Sequence, residues 1–221
     1  MVETAENATG HAPRDRSRSR RSTKDPAGRT QIVEAAVACI LEFGFYRAST
    51  NEIARRANLS WGAIQYHFGT RESLMLAALE EINRRFLASI GQCHVEGATL
   101  AERIESLYDL LDQHYGAPSY LASMQILLNF QHDPDTSPAA NEALSNQQQR
   151  VADEIRRLLA EALGPDIDDA RRTAMFHMIR GFAISTQLVD SIAPGRPRLH
   201  IEDAQRLFLA GLVAAQEQAI D

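Results

Sequence analysis

Residues 49–68, STNEIARRANLSWGAIQYHF, carry the signals of two short helices with a break between them. Ser49 is a typical N-cap residue, and Glu52 stands three positions later, where its carboxylate can reach back to form a capping box. Ser60 can cap a second short helix that begins at Trp61. Helices this short are marginal in water, so both must pack against neighbouring helices.

The break between these helices has the composition of a helix-turn-helix. Asn58 occupies the turn, where the backbone needs a left-handed conformation that Asn tolerates better than most residues other than glycine. Ala54 is small enough to let the two helices approach closely, while Leu59 and Ile64 are expected to point into a small core. The pattern therefore predicts that residues 61–67 form a solvent-facing recognition helix.

The exposed face of this helix suits the floor of a DNA groove. Trp61 lies on it, and Gly62 and Ala63 allow the backbone to come close to the bases. Gln65 can form a paired hydrogen bond with adenine, and Ala63 can touch a thymine methyl group. These four residues are predicted to contact the major groove.

A second set of residues is predicted to contact phosphates. Tyr66 and His67 have donors that can reach phosphate oxygens. Thr50 and Ser60 sit at helix N-termini, where free backbone N–H groups favour anions. Arg71 begins the next helix, where a cation costs about 0.3–1 kcal/mol. A nearby phosphate would explain its presence.

Three segments combine into one motif: TNEIA (50–54), NLSWGAIQYHF (58–68) and RESL (71–74). On this motif, residues from about 29 to 76 resemble the DNA-binding domain of the TetR/AcrR family of bacterial transcriptional regulators. The resemblance implies that Thr50, Ser60, Tyr66, His67 and Arg71 hold phosphates. It also places Trp61, Gly62, Ala63 and Gln65 against the major groove.

The motif departs from the family pattern at three positions. Asn58 stands where the turn glycine is usual, Trp61 where a small polar or basic residue is common, and Gln65 where tyrosine is common. The family's usual operator half-site is therefore not carried over to this chain. Beyond the motif, the resemblance extends only to the number and order of helices.

The remaining sequence predicts an all-α fold of about nine helices with no strand. Proline, glycine and capping residues separate apolar patterns of helical spacing. Besides the two short helices, those predicted are Pro26 to about Phe43, Arg71 onward, Thr99 to Tyr115, Pro118 to Gln131, Ser137 to Gly164, Asp168 to Ala193 and Ile201 to Ile220. We expect a disordered basic arm at 1–24, a helix-turn-helix domain at 25–70 and a helical effector-binding and dimerisation domain at 71–221.

Charge is distributed unevenly between the two ends of the chain. Residues 1–75 contain 11 Lys and Arg against 8 Asp and Glu, whereas residues 76–221 contain 12 against 21. A basic front attached to an acidic body is typical of a polyanion-binding module joined to something else. The arginines at 14–21 fit either an arm that reaches DNA or a solvated tail, and the sequence leaves both open.

The last two predicted helices have stripes that favour a homodimer. Gly181, Ser185, Gly211 and Ala215 are small and would let helices approach closely, as in a four-helix interface between two subunits. Packing within one chain is the alternative. A two-fold pair can bind two half-sites, which favours the dimer. The predicted interface residues are Gly181, Ser185, Leu188, Phe208, Gly211, Leu212 and Ala215.

An effector pocket is expected in the central helices. Aromatic, soft and polar side chains mix on predicted inward faces, although core packing is the alternative for each. The candidates are Tyr108, Met124, Gln125, Phe130 and His177. They favour an apolar small molecule of unknown identity.

Other functional classes have little support in the sequence. No nucleophile elbow, phosphate-binding glycine loop or HExxH motif is present, so no catalytic residue is assigned. The histidine and two aspartates at 132–135 lack a second histidine at helical spacing, and no metal or cofactor is expected. No apolar run is long enough to span a membrane, and no signal peptide is evident, so a cytoplasmic, DNA-associated protein is expected.

The sequence favours a repressor that a small molecule releases from a near-palindromic operator. Activation instead of repression remains open. A non-specific or architectural DNA-binding protein without an effector is the second hypothesis. An all-helical enzyme with an accessory DNA-binding module is the third.

Overall fold

The structure, a computed structural model, describes residues 26–165, 167–192 and 201–217. These ranges contain nine α-helices and no strand, which confirms the predicted all-α fold. The helices are α1 (Pro26–Phe43), α2 (Thr50–Arg56), α3 (Trp61–Phe68), α4 (Arg71–Ile90), α5 (Leu100–Tyr115), α6 (Pro118–His132), α7 (Pro138–Leu163), α8 (Asp169–Ile192) and α9 (Ile201–Glu217). The predicted arm at 1–24 lies outside the described residues.

The first of two hydrophobic cores lies where α1, α2 and α3 meet the beginning of α4. Ile32 and Ile40 of α1, Ile53 of α2 and Leu74 of α4 are fully buried there, and Ile64 of α3 is almost so. Because α2 and α3 are too short to be stable alone, this core is what keeps them helical.

The body of the protein also contributes to this first core. Ile126 and Phe130 of α6 and Leu144 of α7 belong to the same buried cluster. The N-terminal helices therefore rest on α6, and α7 contributes Leu144 to the same core. The predicted domain boundary at residue 70 stays a prediction, since the packing runs across it.

The second core lies among α5, α7, α8 and α9. Leu107 and Leu111 of α5, Leu158 of α7 and Ile179 of α8 are fully buried, and Leu212 of α9 joins them. Burial of such side chains contributes about 1.5–3 kcal/mol each. This core holds the long helices of the body together.

Helix α4 connects the two cores. Leu79 packs in the first, whereas Phe86 and Ile90 pack in the second. On its outer face Arg85 bonds Glu34 of α1 at 2.9 Å. A displacement of α4 would therefore change the packing in both cores.

The capping box predicted at the start of α2 and the Thr99–Glu102 pair at the start of α5 have different outcomes. At the start of α5, Thr99 accepts from the N–H of Glu102, whose carboxylate accepts from the N–H of Thr99, so the box is complete. At the start of α2, Ser49 accepts from the N–H of Glu52 as predicted. The carboxylate of Glu52 instead bonds the guanidinium of Arg55, because that cation lies one turn away on the same face. The prediction that the Glu52 carboxylate accepts from the N–H of Ser49 is therefore wrong.

Candidate nucleic-acid interface

The turn between α2 and α3 has the predicted backbone geometry. Asn58 has φ +49°, and it is the one residue other than glycine with a positive φ in the described part of the chain. The N–H of Leu59 donates to the carbonyl of Ala54 across the turn, at 3.0 Å. Ala54 is buried, as the close approach of the two helices requires. These contacts set the angle at which α3 leaves α2.

Helix α1 holds α2 from the other side. The side-chain amide of Gln31 donates to the carbonyl of Ala57 at 2.8 Å, which pairs a carbonyl at the end of α2. Arg56 of α2 forms an ion pair with Glu42 near the end of α1. Together these contacts keep the short α2 in register against α1.

The inner face of α3 packs as predicted. Ile64 is buried and Leu59 packs against the same cluster. The Ser60 hydroxyl caps the helix by accepting from the N–H of Ala63 at 3.2 Å. The helix is therefore anchored at its beginning and along one side.

The outer face of α3 is open to solvent. The side chains of Trp61 and Tyr66 are 55% and 52% exposed. Gly62 and Gln65 are exposed as well, and Ala63 is half-buried. The predicted solvent exposure of this helix is confirmed. Its role in recognition and the groove contacts of its residues stay predictions.

The candidate phosphate ligands around α3 differ in accessibility. Tyr66 and Ser60 are exposed, whereas Thr50 and His67 are half-buried. A Cβ atom added at Gly28 would lie 3.5 Å from Nε2 of His67, so this imidazole faces the beginning of α1. His67 is thus close to the N-terminal side of α1 as well as to the outer surface.

Arg71 has a role that its position in the sequence did not indicate. Its Nη2 donates to the main-chain carbonyl of Phe45 at 2.5 Å, and its guanidinium lies 4.3 Å from the centroid of the Phe45 ring. Burial lowers the pKa of Arg71 from its ordinary value. Arg71 therefore ties α4 to the loop between α1 and α2, and its contact with phosphate stays a prediction.

The same loop also contacts α6, through two residues that were predicted to line the effector pocket. Oε1 of Gln125 accepts from the N–H of Phe45 at 3.0 Å. Phe130 packs edge-on against the Phe45 ring, 6.4 Å between centroids, in the first core. Neither Gln125 nor Phe130 lines the cavity of the body, because both face the N-terminal helices.

A cavity of about 690 Å³ lies in the body, among α4, α5, α6, α7 and α8. Met124 lines it, which is the one predicted pocket residue that the structure places there. Tyr108 does not line it, because its ring packs in the second core beside Phe182 and Phe208. His177 does not line it either, because it is exposed on α8.

Sequence reasoning missed the aromatic residues that do line the cavity. Tyr115 and Tyr120 face each other edge-on at 4.8 Å, and His114 lies 5.1 Å from Tyr120. Burial lowers the pKa of His114 to about 4, so its imidazole is neutral at pH 7. His114 and Tyr115 lie at the end of α5, in line with its apolar stripe. Their place on this stripe was the sequence feature that could have indicated that they face the interior.

Five of the seven predicted dimer residues lie on an exposed face of α8 and α9. They are Gly181, Ser185, Leu188, Gly211 and Ala215. A Cβ atom added at either glycine meets nothing within 4 Å. The same two helices expose large apolar side chains, with Val189 54%, Ile192 73% and Leu207 75% exposed.

The other two predicted interface residues pack within the chain. Leu212 is buried in the second core. Phe208 stacks on Phe182 with 4.5 Å between ring centroids and an interplanar angle of 9°. Helix α9 has apolar side chains on two sides, one exposed and one packed in the second core. The sequence pattern alone did not show that Phe208 and Leu212 lie on the packed side.

Within the described ranges, no group of three or more His, Cys, Asp or Glu side chains is arranged to hold a metal ion. None of the described helices combines the length and the apolar character needed to cross a bilayer.

The exposed α3, its turn at Asn58 and the helical body define the class of protein, an all-α protein with an N-terminal helix-turn-helix. The profile of a family described as bacterial regulatory proteins, tetR family, matches residues 32–78. This match covers most of α1, all of α2 and α3, and the beginning of α4, so the likeness to the family lies in the helix-turn-helix segment.

Individual proteins resemble larger parts of the chain. An HTH-type transcriptional repressor of Mycobacterium tuberculosis is 27% identical over 135 residues, which cover 59% of this chain and 66% of the repressor. The matched stretch thus spans just under two thirds of that relative.

Solved structures match over nearly their whole length. A transcriptional regulator from Rhodococcus sp. Rha1 has a TM-score of 0.61 at 22% identity, covering 86% of this chain and 96% of that one. FadR from Bacillus subtilis, in complex with stearoyl-CoA, has a TM-score of 0.58 at 17% identity, covering 83% and 97%. At these identities the matches establish the fold.

Proposed function

We propose that this protein is a sequence-specific DNA-binding transcriptional regulator that acts as a repressor. One observation supports it above all: the outer face of α3 is exposed while Ile64 on its inner face is buried. A short helix held in this way can enter the major groove without unfolding any of its supports. The proposed activity is binding and not catalysis, in a cytoplasmic protein associated with DNA.

The proposed contacts divide by role. Trp61, Gly62, Ala63 and Gln65 meet the bases and the groove. The proposed phosphate contacts are Thr50, Ser60, Tyr66, His67 and Arg71. Phosphate contacts position the protein, and base contacts specify the sequence.

The proposed assembly is a homodimer formed through α8 and α9. Ile192 and Leu207 expose most of their apolar side chains on these helices, and a second copy would cover them. Two α3 helices related by a two-fold axis then read two half-sites of a near-palindromic operator, with centres about 34–36 Å apart or multiples of this.

The proposed effector site is the cavity of about 690 Å³, which lies within the range of small-molecule sites of about 300–1,000 Å³. FadR of Bacillus subtilis, which has the same fold, was solved in complex with stearoyl-CoA, and this supports the proposal that the present protein also has a small-molecule ligand. Release from DNA requires that the ligand bind better to a state in which the two α3 helices no longer match one face of DNA.

Helix α6 offers a physical link between the cavity and the DNA-binding helices. Met124 lines the cavity, and its neighbour Gln125 holds the N–H of Phe45 in the loop before α2. A ligand that shifts α6 would therefore shift this loop. Helix α4 offers a second link, because Asn83 lines the cavity and Arg71 bonds the same Phe45.

Selection of bound sequences from a random DNA pool tests the proposal. The full chain is expected to enrich an inverted repeat, and its affinity for this repeat should exceed that for random DNA by about a thousandfold or more. Equal affinity for both at every salt concentration would instead support an architectural DNA-binding protein. A matched effector screen then asks whether any small molecule lowers that ratio.

A further inference from the structure

The walls of the cavity differ in chemistry from one side to the other. Helices α6 and α7 provide aliphatic or thioether side chains: Met124, Leu127, Leu128, Val151, Ile155 and Leu159. The opposite side, where α5 and the beginning of α6 meet α8, provides Tyr115, Tyr120 and Phe176. An occupant therefore meets an aliphatic slot on one side and aromatic rings on the other.

Arg180 of α8 stands at the aromatic side of the cavity. Its Cζ lies 5.9 Å from the ring centroid of Tyr115 and 5.6 Å from that of Phe176. A guanidinium within about 6 Å of a ring centroid is attracted to the ring, and this attraction favours a position of the side chain beside it. Arg180 thus lies next to both rings at the wall of the cavity.

Arg180 differs from the other two cavity arginines in its charge balance. Arg156 forms an ion pair with Asp153 at 2.6 Å, and Arg172 forms one with Asp169 at 3.0 Å. No acidic partner of Arg180 is found in the part of the chain that the structure describes. Its positive charge is therefore not neutralised by an ion pair at the cavity wall.

The neighbours of Arg180 do not offset this charge. His114 lines the same cavity and is neutral at pH 7. Asp169 is the one acidic residue of the lining, and it is already bonded to Arg172. The site thus has a net positive character inside a body, residues 76–221, that is acidic as a whole.

We propose that the effector is an amphipathic organic anion whose carboxylate or phosphate pairs with Arg180 and whose aliphatic tail lies between α6 and α7. This inference rests on the proposed function, since it takes the cavity as the effector site. A guanidinium presents paired donors that match the oxygens of a carboxylate or phosphate. A cationic ligand is disfavoured by the same charge.

Isothermal titration calorimetry of the full chain, without DNA, tests the proposal. The probes are dodecanoate, dodecan-1-ol and dodecyltrimethylammonium, which share one tail and differ in charge. We expect dodecanoate to bind about tenfold or more tighter than the alcohol, as a charged hydrogen bond predicts, and the cation to bind most weakly. A phosphate arm, monododecyl phosphate, distinguishes the two head groups.

Arg180→Gln isolates the charge, because glutamine keeps a polar side chain in the wall. The variant is expected to lose the preference for dodecanoate over the alcohol and to keep its affinity for the alcohol. Arg206→Gln is the matched control: Arg206 lies on α9, is 73% exposed, is paired with Asp203 and does not line the cavity. It should retain the preference.

If Arg180→Gln does not fold, the salt dependence of ligand binding by the wild-type protein tests the same proposal. Its affinity for dodecanoate should fall several-fold from low salt to about 0.5 M NaCl, and its affinity for the alcohol should not fall. Equal binding of acid and alcohol, or no binding of any probe, would overturn the proposal. Since no DNA is present, this result is independent of the operator selection, whose failure would overturn the proposed function instead.

Discussion

The guanidinium of Arg71 donates to the carbonyl of Phe45 at 2.5 Å, and it lies over the ring of the same residue. The N–H of Phe45 in turn donates to Gln125 of α6. The loop before α2 is therefore held by α4 and α6. The former bonds the main-chain carbonyl of Phe45, and the latter bonds its main-chain N–H. The orientation of α2 and α3 depends on where α4 and α6 stand.

Arg71→Ala is expected to lower the free energy of unfolding by about 1–3 kcal/mol, because the Phe45 carbonyl loses a charged donor. Urea denaturation measures this loss. If Arg71 also holds a phosphate, the variant should bind operator and random DNA more weakly by a similar factor, with a salt dependence shallower by about one phosphate contact. Arg84→Ala, an exposed position on the same helix, is the control. Unchanged stability and unchanged salt dependence would contradict both roles.

Gln65→Ala is expected to relax sequence preference by about 1–3 kcal/mol at one base pair of each half-site. The reason is that Gln65 is exposed on α3, where it makes no contribution to the core. Binding to operator variants at that base pair, measured by gel shift, detects the change. Tyr66→Phe is the comparison, and it should weaken all sequences alike. A Gln65→Ala variant that loses affinity for random DNA as strongly as for operator would refute the assigned role.

Substitutions at Asn58 should separate backbone strain from side-chain chemistry. Asn58→Val is expected to destabilise the protein by about 1–2 kcal/mol, because a β-branched residue resists the left-handed conformation found there. Asn58→Gly should leave stability within about 0.5 kcal/mol or raise it, since glycine adopts this φ freely. Thermal unfolding provides the measurement. Equal stability of the valine and glycine variants would show that the turn relaxes at no cost.

Acid should destabilise the protein through His114. Burial holds the pKa of its imidazole at about 4 in the folded state, against 6.5 when unfolded. Between these values the unfolded chain binds a proton that the folded protein does not, so stability falls as the pH is lowered through this window. From pH 7 to pH 5 the loss is about 2 kcal/mol.

His114→Phe should flatten this pH dependence, because phenylalanine has no group that titrates. Its ring can keep the stack on Phe86, whose centroid lies 4.0 Å from that of His114. Denaturant unfolding at several pH values compares the variants, with His132→Phe, an exposed position, as control. Glu81, whose pKa is held at about 2 by Arg84 and Arg85, titrates only below this window. A His114→Phe protein with the wild-type slope between pH 7 and pH 5 would rule out the assignment.

Leu207→Glu tests the dimer. Its side chain is 75% exposed in one chain, and in the proposed interface a carboxylate at this position would be buried without a partner. We expect the dimer dissociation constant to rise about a hundredfold or more, as measured by sedimentation velocity. Leu41→Glu, on the partly exposed face of α1, should leave the dimer intact. A monomeric wild-type protein, or a dimer insensitive to Leu207→Glu, would show that this face is not the interface.

The helix-turn-helix was predictable because its signals are local. Caps, turn residues and apolar spacing act within a few positions, so α2, the turn at Asn58 and the open face of α3 follow from residues 49–68. The one local error, the carboxylate of Glu52, arose where two local partners competed and Arg55 won. The cap of α5 at Thr99 had no such competitor on its own face.

The pocket could not be predicted in the same way. Tyr108 and Met124 both have inward positions, yet one packs in a core and the other lines the cavity. Inward direction is a property of a single helix, but a cavity exists only where several helices fail to meet. For the same reason the sequence did not indicate a ligand role for Arg180, since the cavity that it lines and its contact with Tyr115 of α5 are formed by several helices, although Phe176 lies on its own helix.

Secondary structure, the recognition face and the basic-to-acidic division of charge follow from the order of residues alone, because each depends on near neighbours or on composition. The roles of Arg71, Gln125 and His114 depend on partners brought together by packing. Phe45 and Gln125 are 80 positions apart in the chain, and only the folded arrangement of α6 against the N-terminal helices makes them hydrogen-bond partners.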